Sequence, residues 1–366
     1  MGEIQGVQDR VAAETTGGDD RDRCTLRQTQ TPRRIDNPPL PDDNSLPPMR
    51  ALLFNQSLAF TPRHPDPPLS DGDTLIRVRQ AGICSTDLEI TKGYLSFHGV
   101  LGHEFVGEVV DSPDKNLLKK RVVGEINIVC GRCDLCLAGL SAHCRKRSTL
   151  GIQNHDGCFA DLLRLPANNL HTLPDSIDDD QAVFIEPLAA AFQVLKQVNL
   201  DGRRWVTVLG DGRLGLLVAQ VLQSANCPVR VIGKHPQKLA LCEKWSIRSR
   251  PLADILPRHD QDVVVDCTGS PPGFELALQM VRPRGTIVLK STCAAGKPLN
   301  LAPLVVDEIT VIGSRCGPFR EAIRALAQKQ IDVVSLIHRR IKLDQGIEAM
   351  TLAARRGVLK IILTME

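Results

Sequence analysis

A short apolar strand opens directly into three glycines at Trp205-Val-Thr-Val-Leu209-Gly210-Asp211-Gly212-Arg213-Leu214-Gly215. A helical pattern follows to Ser224, so the spacing G-x-G-x-x-G lies between a strand and a helix. The first glycine permits a tight turn, the second lets a pyrophosphate approach, and the third lets helix and strand pack closely. The helix N-terminus favours an anion, and a glycine turn in an unliganded α/β domain fits this context less well. The predicted dinucleotide site comprises Gly210, Gly212, Arg213, Leu214 and Gly215.

From residue 186 onward, strand patterns alternate with helical patterns. This alternation predicts a parallel sheet with helices on both faces. Residues 49–185 instead show many short strands separated by glycine and proline, which is typical of a β-rich domain. The strand patterns of the α/β part lie at 205–209, 229–232, 262–266, 286–290 and 309–313, and the helical ones at 186–198, 214–224, 236–245 and 272–281.

Composition excludes several classes of protein. With 45 basic and 42 acidic residues and a net charge of +3, the chain of 366 residues shows no case for nucleic acid or an anionic membrane surface. No apolar run approaches the ~20 residues of a membrane span. Four of the 12 cysteines cluster between residues 130 and 144, which indicates metal thiolates in a reducing compartment and predicts a cytoplasmic protein. Residues 1–48 lack apolar periodicity and are expected to be disordered.

The cysteine cluster is the most specific metal motif. It reads Cys130-Gly-Arg-Cys133-Asp-Leu-Cys136, with Cys144 eight positions later. Four thiolates in one loop can close a tetrahedral, structural zinc site. A ferredoxin-type cluster would place its fourth cysteine after three residues and before a proline, whereas here seven residues intervene and arginine follows. A nucleic-acid zinc ribbon would separate two cysteine pairs by a longer stretch.

A second metal site is predicted from Cys84 and His103, in Gly82-Ile-Cys84-Ser-Thr86-Asp and Gly102-His103-Glu104. A mixed set of sulfur, nitrogen and oxygen ligands suits zinc, and a catalytic zinc takes three protein ligands and keeps one position open. Our candidate for the third ligand is Glu186, in Glu186-Pro-Leu-Ala. Either residue alone would more simply be a buried cysteine or a core histidine, but the accompanying motifs favour the metal.

The end of the second strand of the α/β part bears on the choice of cofactor. An NAD site usually has an acidic residue about 20 residues beyond the glycines, where it binds the ribose hydroxyls. Here Gly233 takes that position, followed by Lys234 and His235. Without an acid to repel a 2′-phosphate, and with Lys234 able to pair with it, the pattern favours NADP over NAD. The alternative interpretation is that Lys234 is an ordinary solvated lysine in a loop.

From about Met49 to the C-terminus, these motifs resemble the zinc-containing medium-chain dehydrogenase/reductase family, which includes alcohol, sorbitol, threonine and glucose dehydrogenases. Gly157-Cys-Phe-Ala-Asp161 and Asp266-Cys-Thr268-Gly269 add to the resemblance. The resemblance implies a GroES-like β-barrel catalytic domain at 49–185, an inserted Rossmann domain at 186–316, and a C-terminal segment, 317–366, that completes the catalytic domain. It also implies a homodimer or homotetramer.

The resemblance further implies roles for individual residues. Catalytic zinc would be held by Cys84, His103 and Glu186, with Glu104 as an alternating ligand. Thr86 would relay the substrate proton, and Glu89 stands where several family members carry a histidine that passes this proton to solvent. Thr268 and Gly269 would line the cofactor cleft. The implied reaction is hydride transfer between an alcohol or polyol, or its ketone or aldehyde, and NAD(P).

Two other functions are compatible with the motifs. One is a non-catalytic NADPH-binding protein that kept the fold, against which the intact Cys84, His103, Glu186 and Thr86 argue. The other is a redox sensor that uses spare cysteines, although these resemble ordinary buried residues. The spare cysteines considered are Cys158, Cys267 and Cys316.

Overall fold

The structure, a computed structural model, describes residues 48–200, 205–291 and 300–366. The expected disorder of 1–48 therefore concerns residues that, apart from Pro48, lie outside the described ranges. None of the described helices is both long and apolar enough to cross a bilayer. The strands are β1 Met49–Asn55, β2 Ser57–His64, β3 Asp73–Gly82, β4 Gly99–Val100, β5 Glu104–Asp111, β6 Arg121–Gly124, β7 Asn127–Ile128, β8 Ser148–Thr149, β9 Leu162–Pro166, β10 Leu170–Thr172, β11 Val206–Leu209, β12 Val229–Gly233, β13 Arg248–Pro251, β14 Gln261–Asp266, β15 Val281–Leu289, β16 Thr310–Gly313, β17 Ile337–Lys342 and β18 Lys360–Thr364. The helices are α1 Ser85–Ile90, α2 Asp134–Leu137, α3 Asp179–Ala182, α4 Ile185–Gln197, α5 Arg213–Ser224, α6 Pro236–Lys244, α7 Pro271–Met280, α8 Ala302–Val306, α9 Phe319–Ala327 and α10 Gly346–Ala353.

The glycine motif belongs to a parallel sheet with the order β13-β12-β11-β14-β15-β16. Alternate side chains leave its two faces. Val206 and Val208 share a core with α4 and α5, whereas Leu209 and Val264 share one with α7. The predicted doubly wound α/β sheet is therefore confirmed. Its strand order reverses between β11 and β14, and such sheets bind ligands at the carboxyl ends of the strands beside this point.

A second, mostly antiparallel sheet brings the predicted zinc residues together. Within it β3 pairs antiparallel with β5, β9 and β18, so the end of the chain completes a sheet that residues near its beginning start. The register sets Gly82 opposite Glu104. Because Cys84 follows Gly82 by two positions and His103 directly precedes Glu104, the two predicted ligands meet at one end of this strand pair.

Two apolar runs of the first domain are each divided between two strands. Residues 121–129 contain β6 and β7, and the Asn169 side-chain amide donates to the carbonyls of Glu125 and Asn127. The run 162–173 is broken after Pro166 by a short turn at 167–169. Proline has no N–H to continue the ladder.

The strands that were not predicted include β13 and β17. Both are edge strands, and most of their side chains are exposed. An edge strand that buries little apolar surface carries no alternation for sequence reasoning to detect.

Candidate metal and cofactor sites

The thiol of Cys84 is fixed at the start of α1 by a reciprocal cap. Its Sγ accepts a hydrogen bond from the backbone N–H of Thr86 at 3.5 Å, and the Cys84 N–H donates to Asp87 Oδ2 at 2.8 Å. Asp87 is completely buried, and its other oxygen lies 3.3 Å from Nδ1 of His103. This capping box therefore orients the thiol and also places a carboxylate behind the imidazole.

His103 is held in a tight crossing of two chain segments. It follows Gly102, whose φ is +95° and whose missing Cβ would lie 2.2 Å from the Phe159 ring, so only glycine fits there. Burial alone would lower the pKa of His103, but the charges of Asp87 and Cys84 raise it well above its usual value. A metal-binding imidazole must be neutral, so metal binding at this residue is coupled to proton release.

The ligand atoms of Cys84, His103 and Glu104 lie within 4.8 Å of one another. This donor set of sulfur, nitrogen and oxygen fits zinc. The predicted third ligand, Glu186, is not part of this group. Desolvation raises its pKa to about 7, and the nearby charges of His103 and Glu104 also act on it. Among the described residues its carboxylate has no hydrogen bond or ion pair.

Lys360, at the start of β18, was not recognised in the sequence. Its ammonium forms a buried ion pair with Glu104, donates to the Ile83 carbonyl at 3.4 Å, and lies 5.5 Å from the centre of the Phe184 ring. A single lysine before an apolar strand gives no signal, because only the pairing of β18 with β3 brings it here. Asp87 could have been found, since an acid three residues after an N-cap is typical of a capping box.

The two residues of the predicted proton relay lie on α1. Thr86 Oγ1 is 3.7 Å from Cys84 Sγ, so the hydroxyl is next to the thiol. Glu89 is one turn further along, 30% exposed, and its Oε1 accepts a bond from Lys92 Nζ at 2.8 Å. The threonine thus lies at the metal group and the glutamate nearer the surface, which leaves the complete relay a prediction.

The four cysteines of the loop gather their sulfur atoms into one cluster. The Sγ atoms are 3.5 Å apart for Cys130 and Cys144, 3.5 Å for Cys133 and Cys136, and 3.9 Å for Cys133 and Cys144. Four sulfurs at about 2.3 Å from one zinc, in tetrahedral geometry, would be about 3.8 Å apart. Backbone N–H groups of Arg145 and Cys136 lower the pKa of Cys133 to about 6, which favours its thiolate. The cluster therefore fits a closed four-thiolate zinc site.

The predicted glycine loop lies at the carboxyl ends of β11 and β14. Gly210 has φ +107°, and a Cβ there would lie 2.8 Å from the Cys267 carbonyl oxygen. A Cβ on Gly215 would lie 2.1 Å from the Gly210 carbonyl oxygen, whereas one on Gly212 would meet nothing within 4 Å. The loop is thus closed towards the sheet and open at Gly212, the N-cap of α5, where a pyrophosphate is expected.

The other predicted cofactor residues flank this opening. Leu214 packs against the core beneath the sheet. Thr268 and Gly269 follow β14, where the Gly269 N–H donates to Ser291 Oγ at 2.7 Å. Space around Gly269 is open, because a Cβ there would meet nothing within 4 Å. This end of β14 could therefore accept a ligand beside the glycine loop.

Arg213 connects the glycine loop to the metal residues. Its guanidinium donates to the carbonyls of Ile83 at 3.2 Å and Leu359 at 3.0 Å, and to Ser85 Oγ at 2.7 Å. Ile83 and Ser85 flank Cys84, and Leu359 precedes Lys360. The first turn of α5 is therefore bonded directly to the segment that carries Cys84 and to the segment that carries Lys360.

Asp211 corrects the expectation that no carboxylate lies near Gly233. Its Oδ2 accepts the backbone N–H groups of Lys234 at 2.8 Å and His235 at 2.7 Å, and its Oδ1 lies 3.0 Å from His235 Nδ1. The approach follows from the parallel register, which sets Leu209 opposite Ile232. The pattern at the end of the second strand does not reveal an acid that the loop after the first strand supplies.

Lys238 was not predicted either. It is 8% exposed, and burial lowers its pKa while the charge of Asp211 opposes that shift. Within the described residues no hydrogen bond or ion pair ends on its ammonium group. A largely buried cation without a partner beside the glycine loop fits an anionic or hydroxyl-rich ligand.

The spare cysteines are poor candidates for a redox sensor. Cys158 is completely buried, and burial raises its pKa well above the usual value. Burial also raises the pKa of Cys267 to about 12 and that of Cys316 above its usual value. Because the thiolate is the reactive form, these shifts disfavour oxidation at neutral pH.

Comparison with known proteins agrees with this arrangement of sites. Residues 70–175 match the alcohol dehydrogenase GroES-like domain family, and residues 214–329 match the zinc-binding dehydrogenase family. An L-threonine 3-dehydrogenase of Chelativorans sp. (strain BNC1) is 31% identical over 315 residues, which cover 79% of this chain and 91% of that protein. A sorbitol dehydrogenase of Halalkalibacterium halodurans is 26% identical over 322 residues, or 82% and 94% of the two chains.

A solved structure extends the similarity to three dimensions. A protein of Sinorhizobium meliloti 1021, provisionally assigned as a zinc-binding dehydrogenase and bound to NADP, is 25% identical with a TM-score of 0.77. The match covers 86% of this chain and 99% of that one. With two family matches in the expected order and a relative above 30% identity along most of its length, the chain belongs to the zinc-containing medium-chain dehydrogenase/reductase family.

Proposed function

We propose that this protein is a zinc-dependent oxidoreductase that transfers a hydride between an alcohol or polyol, or its ketone or aldehyde, and NAD(P). The observation that carries the proposal is the set of bonds from Arg213, which joins the glycine loop to the segments around Cys84. A redox cofactor seated on that loop would lie beside the metal residues. The names of the relatives, a threonine and a sorbitol dehydrogenase, support a small hydroxylated substrate.

Cys84 and His103 are the first two ligands of the proposed catalytic zinc, and Glu186 is the third. Glu104 lies closer to them, but its charge is neutralised by the buried Lys360. Glu186 has no partner among the described residues, so its carboxylate is free to coordinate. A zinc ion held here would supply a Lewis acid that lowers the pKa of a substrate hydroxyl.

The chain's own residues handle the proton that leaves the substrate hydroxyl. Thr86 Oγ1 is next to Cys84 Sγ, and a hydroxyl can accept one proton while donating another. Glu89 lies further out on α1 and takes the proton towards solvent. Asp87 stays behind His103 and keeps the imidazole oriented.

The loop of Cys130, Cys133, Cys136 and Cys144 holds a second, structural zinc, which gives two zinc ions per chain. Its sulfur spacing supports this assignment.

The proposed domains are 49–185, 186–316 and 317–366. Two observations support these boundaries. Strand β18 belongs to the same sheet as β3, and every strand of the parallel sheet lies between Val206 and Gly313.

The cofactor is NADP in preference to NAD. Lys234 and Lys238 lie at and just after the turn that follows β12, where Asp211 is the opposing carboxylate. A 2′-phosphate would gain from this excess of cations.

The assembly is a homodimer formed through β16. This strand ends the parallel sheet, so its outer N–H and C=O groups face away from the sheet. Val305 and Val306 in the preceding α8 are 78% and 79% exposed, and Val311 within β16 is 37% exposed. A second copy continuing the sheet would cover this edge, and sedimentation of the native protein tests it.

The alternative, a non-catalytic NADPH-binding protein, would need neither the Cys84 thiol nor the buried His103. A panel of sugars, polyols and short alcohols, offered with each cofactor, separates the two functions. Formation of reduced cofactor together with about two zinc ions per chain supports the enzyme. Cofactor binding without turnover of any substrate supports the alternative.

A further inference from the structure

We propose that Asp211 determines which dinucleotide this protein accepts, because its carboxylate takes the place of an acid on the second strand but is bonded to the turn 233–235. This inference rests on the proposed dehydrogenase function. Sheets of this kind usually carry the ribose-binding acid at the end of the second strand. Here that position is Gly233, and the acid comes from the loop after the first strand.

Asp211 and a side chain at position 233 would occupy the same space. A Cβ built on Gly233 would lie 2.5 Å from Asp211 Cβ and 2.5 Å from its Oδ2. Rotation of the Asp211 side chain could move Oδ2 but not Cβ, because the Cβ position is fixed by the backbone. The site therefore has room for one acid, supplied either by the strand or by the glycine loop.

The Asp211 carboxylate is already occupied by protein donors. Its Oδ2 accepts both backbone N–H groups of Lys234 and His235, and its Oδ1 faces Nδ1 of His235. A carboxylate offers about four lone-pair sites, so these donors use most of them. Its side chain is only 8% exposed. A ribose diol therefore cannot form its usual pair of hydrogen bonds with this carboxylate, and the usual stabilisation of NAD is lost.

The same contacts shape the turn 233–235 for a 2′-phosphate. They hold the turn in one conformation with Lys234 exposed at its surface. Lys238, in the first turn of α6, is 8% exposed and lacks a partner among the described residues. A phosphate beside the turn would therefore meet Lys234 and Lys238 against the single carboxylate of Asp211, and the hydrogen bonds to Asp211 disperse its negative charge.

The test measures the dissociation constants of NADP and NAD by titration calorimetry for the whole protein and four variants. Gly233→Asp and Asp211→Gly change the two positions singly, and Asp211→Gly/Gly233→Asp moves the acid to the strand. Asp254→Ala, which removes an exposed acid elsewhere in the same domain, is the matched control. The ratio of the two constants is the readout, since general damage to the fold weakens both cofactors alike.

We expect the native protein and Asp254→Ala to bind NADP about tenfold more tightly than NAD. In Asp211→Gly, NADP should bind more weakly, so most of the preference for NADP over NAD should disappear. Gly233→Asp should weaken the binding of both cofactors because the new side chain collides with Asp211. The double variant should bind NAD about tenfold more tightly than Gly233→Asp does and reverse the preference.

Three results would overturn the inference. They are tighter binding of NAD than of NADP by the native protein, reversal by Gly233→Asp alone, and an unchanged ratio in Asp211→Gly. If Asp211→Gly does not fold, Gly233→Ala tests the shared space, and unchanged affinities in that variant would count against the proposal. Binding of neither cofactor by the native protein would instead refute the proposed function, so the two failures are distinguishable.

Discussion

Lys360 and Glu104 form an ion pair in which both side chains are almost completely buried, so the last strand of the chain neutralises the carboxylate beside the metal histidine. The pair lies where β18, β3 and β5 meet. Burying two charges is costly, and a buried pair is stable only while both partners are present. The pair explains why Glu104 is a weaker candidate for metal coordination than the unpaired Glu186.

The first prediction concerns this pair. Lys360→Met leaves the Glu104 carboxylate buried without a counter-charge and should lower the free energy of unfolding by about 3–5 kcal/mol. Lys360→Met/Glu104→Gln removes both charges and should recover most of the loss. Urea denaturation of the metal-free proteins measures both values. A loss below about 1 kcal/mol in the single variant, a size typical of exposed pairs, would contradict a buried pair.

The second prediction separates the two glutamates of the metal site. Glu186→Ala should weaken catalytic zinc binding and remove most turnover, while the cysteine-loop zinc and cofactor affinity stay intact. Glu104→Ala should reduce turnover less, because its charge already belongs to Lys360. Zinc analysis, calorimetry and turnover of both variants provide the comparison. Equal zinc affinity in Glu186→Ala and the native protein would remove Glu186 from the ligand set.

The third prediction concerns the cysteine loop. Cys133→Ser should lower the zinc content by about one ion per chain and destabilise the fold, since metal binding contributes directly to folding free energy. Cys227→Ser, which changes a partly exposed cysteine outside the loop, is the control. Iron–sulfur absorbance in the native protein, or an unchanged zinc content in Cys133→Ser, would show that the loop is not a zinc site.

The fourth prediction concerns a buried lysine at the end of the parallel sheet. Lys290 Nζ donates to the carbonyls of Ala190 at 2.6 Å and Arg315 at 3.0 Å, and to Ser314 Oγ at 3.2 Å. Desolvation lowers its pKa to about 8, against about 10.4 in an unfolded chain. Between about pH 8 and about pH 10.4, the lysine is protonated in the unfolded chain and neutral in the folded protein. The free energy of unfolding should therefore rise with pH in this range.

Comparison with Lys290→Met isolates this effect. The native protein should gain up to about 3 kcal/mol relative to the variant as the pH rises from about 8 to about 10.4. Urea unfolding at several pH values within that range measures the difference. A difference that stays constant across the range would mean that the lysine keeps its ordinary pKa in the folded protein.

Local patterns were sufficient to predict the α/β sheet. The strand before Gly210 and the helix that contains Gly215 lie almost where apolar periodicity places them. The cysteine loop is likewise local, so its spacing alone brings the four sulfurs together. Such features need only neighbouring residues, and their signals lie within short windows of sequence.

The parts that sequence reasoning missed depend on contacts between distant segments. Lys360 reaches Glu104 only because β18 joins β3, and Asp211 reaches the turn 233–235 only because β11 and β12 are parallel neighbours. Periodicity reports which face of an element is buried but not which charged residues meet there. For that reason the sequence did not reveal that the acid near Gly233 comes from the loop after β11.

The central claim is that a thiol-anchored zinc and a nicotinamide cofactor act together on a hydroxylated substrate. Its most direct test follows the absorbance of reduced cofactor with the substrate panel, for the zinc-loaded native protein and for Cys84→Ser. We predict reduction of NADP with at least one polyol or alcohol by the native protein, and none by Cys84→Ser although it still binds NADP. No reduction by the native protein with any substrate, or equal rates in the two proteins, would contradict the account.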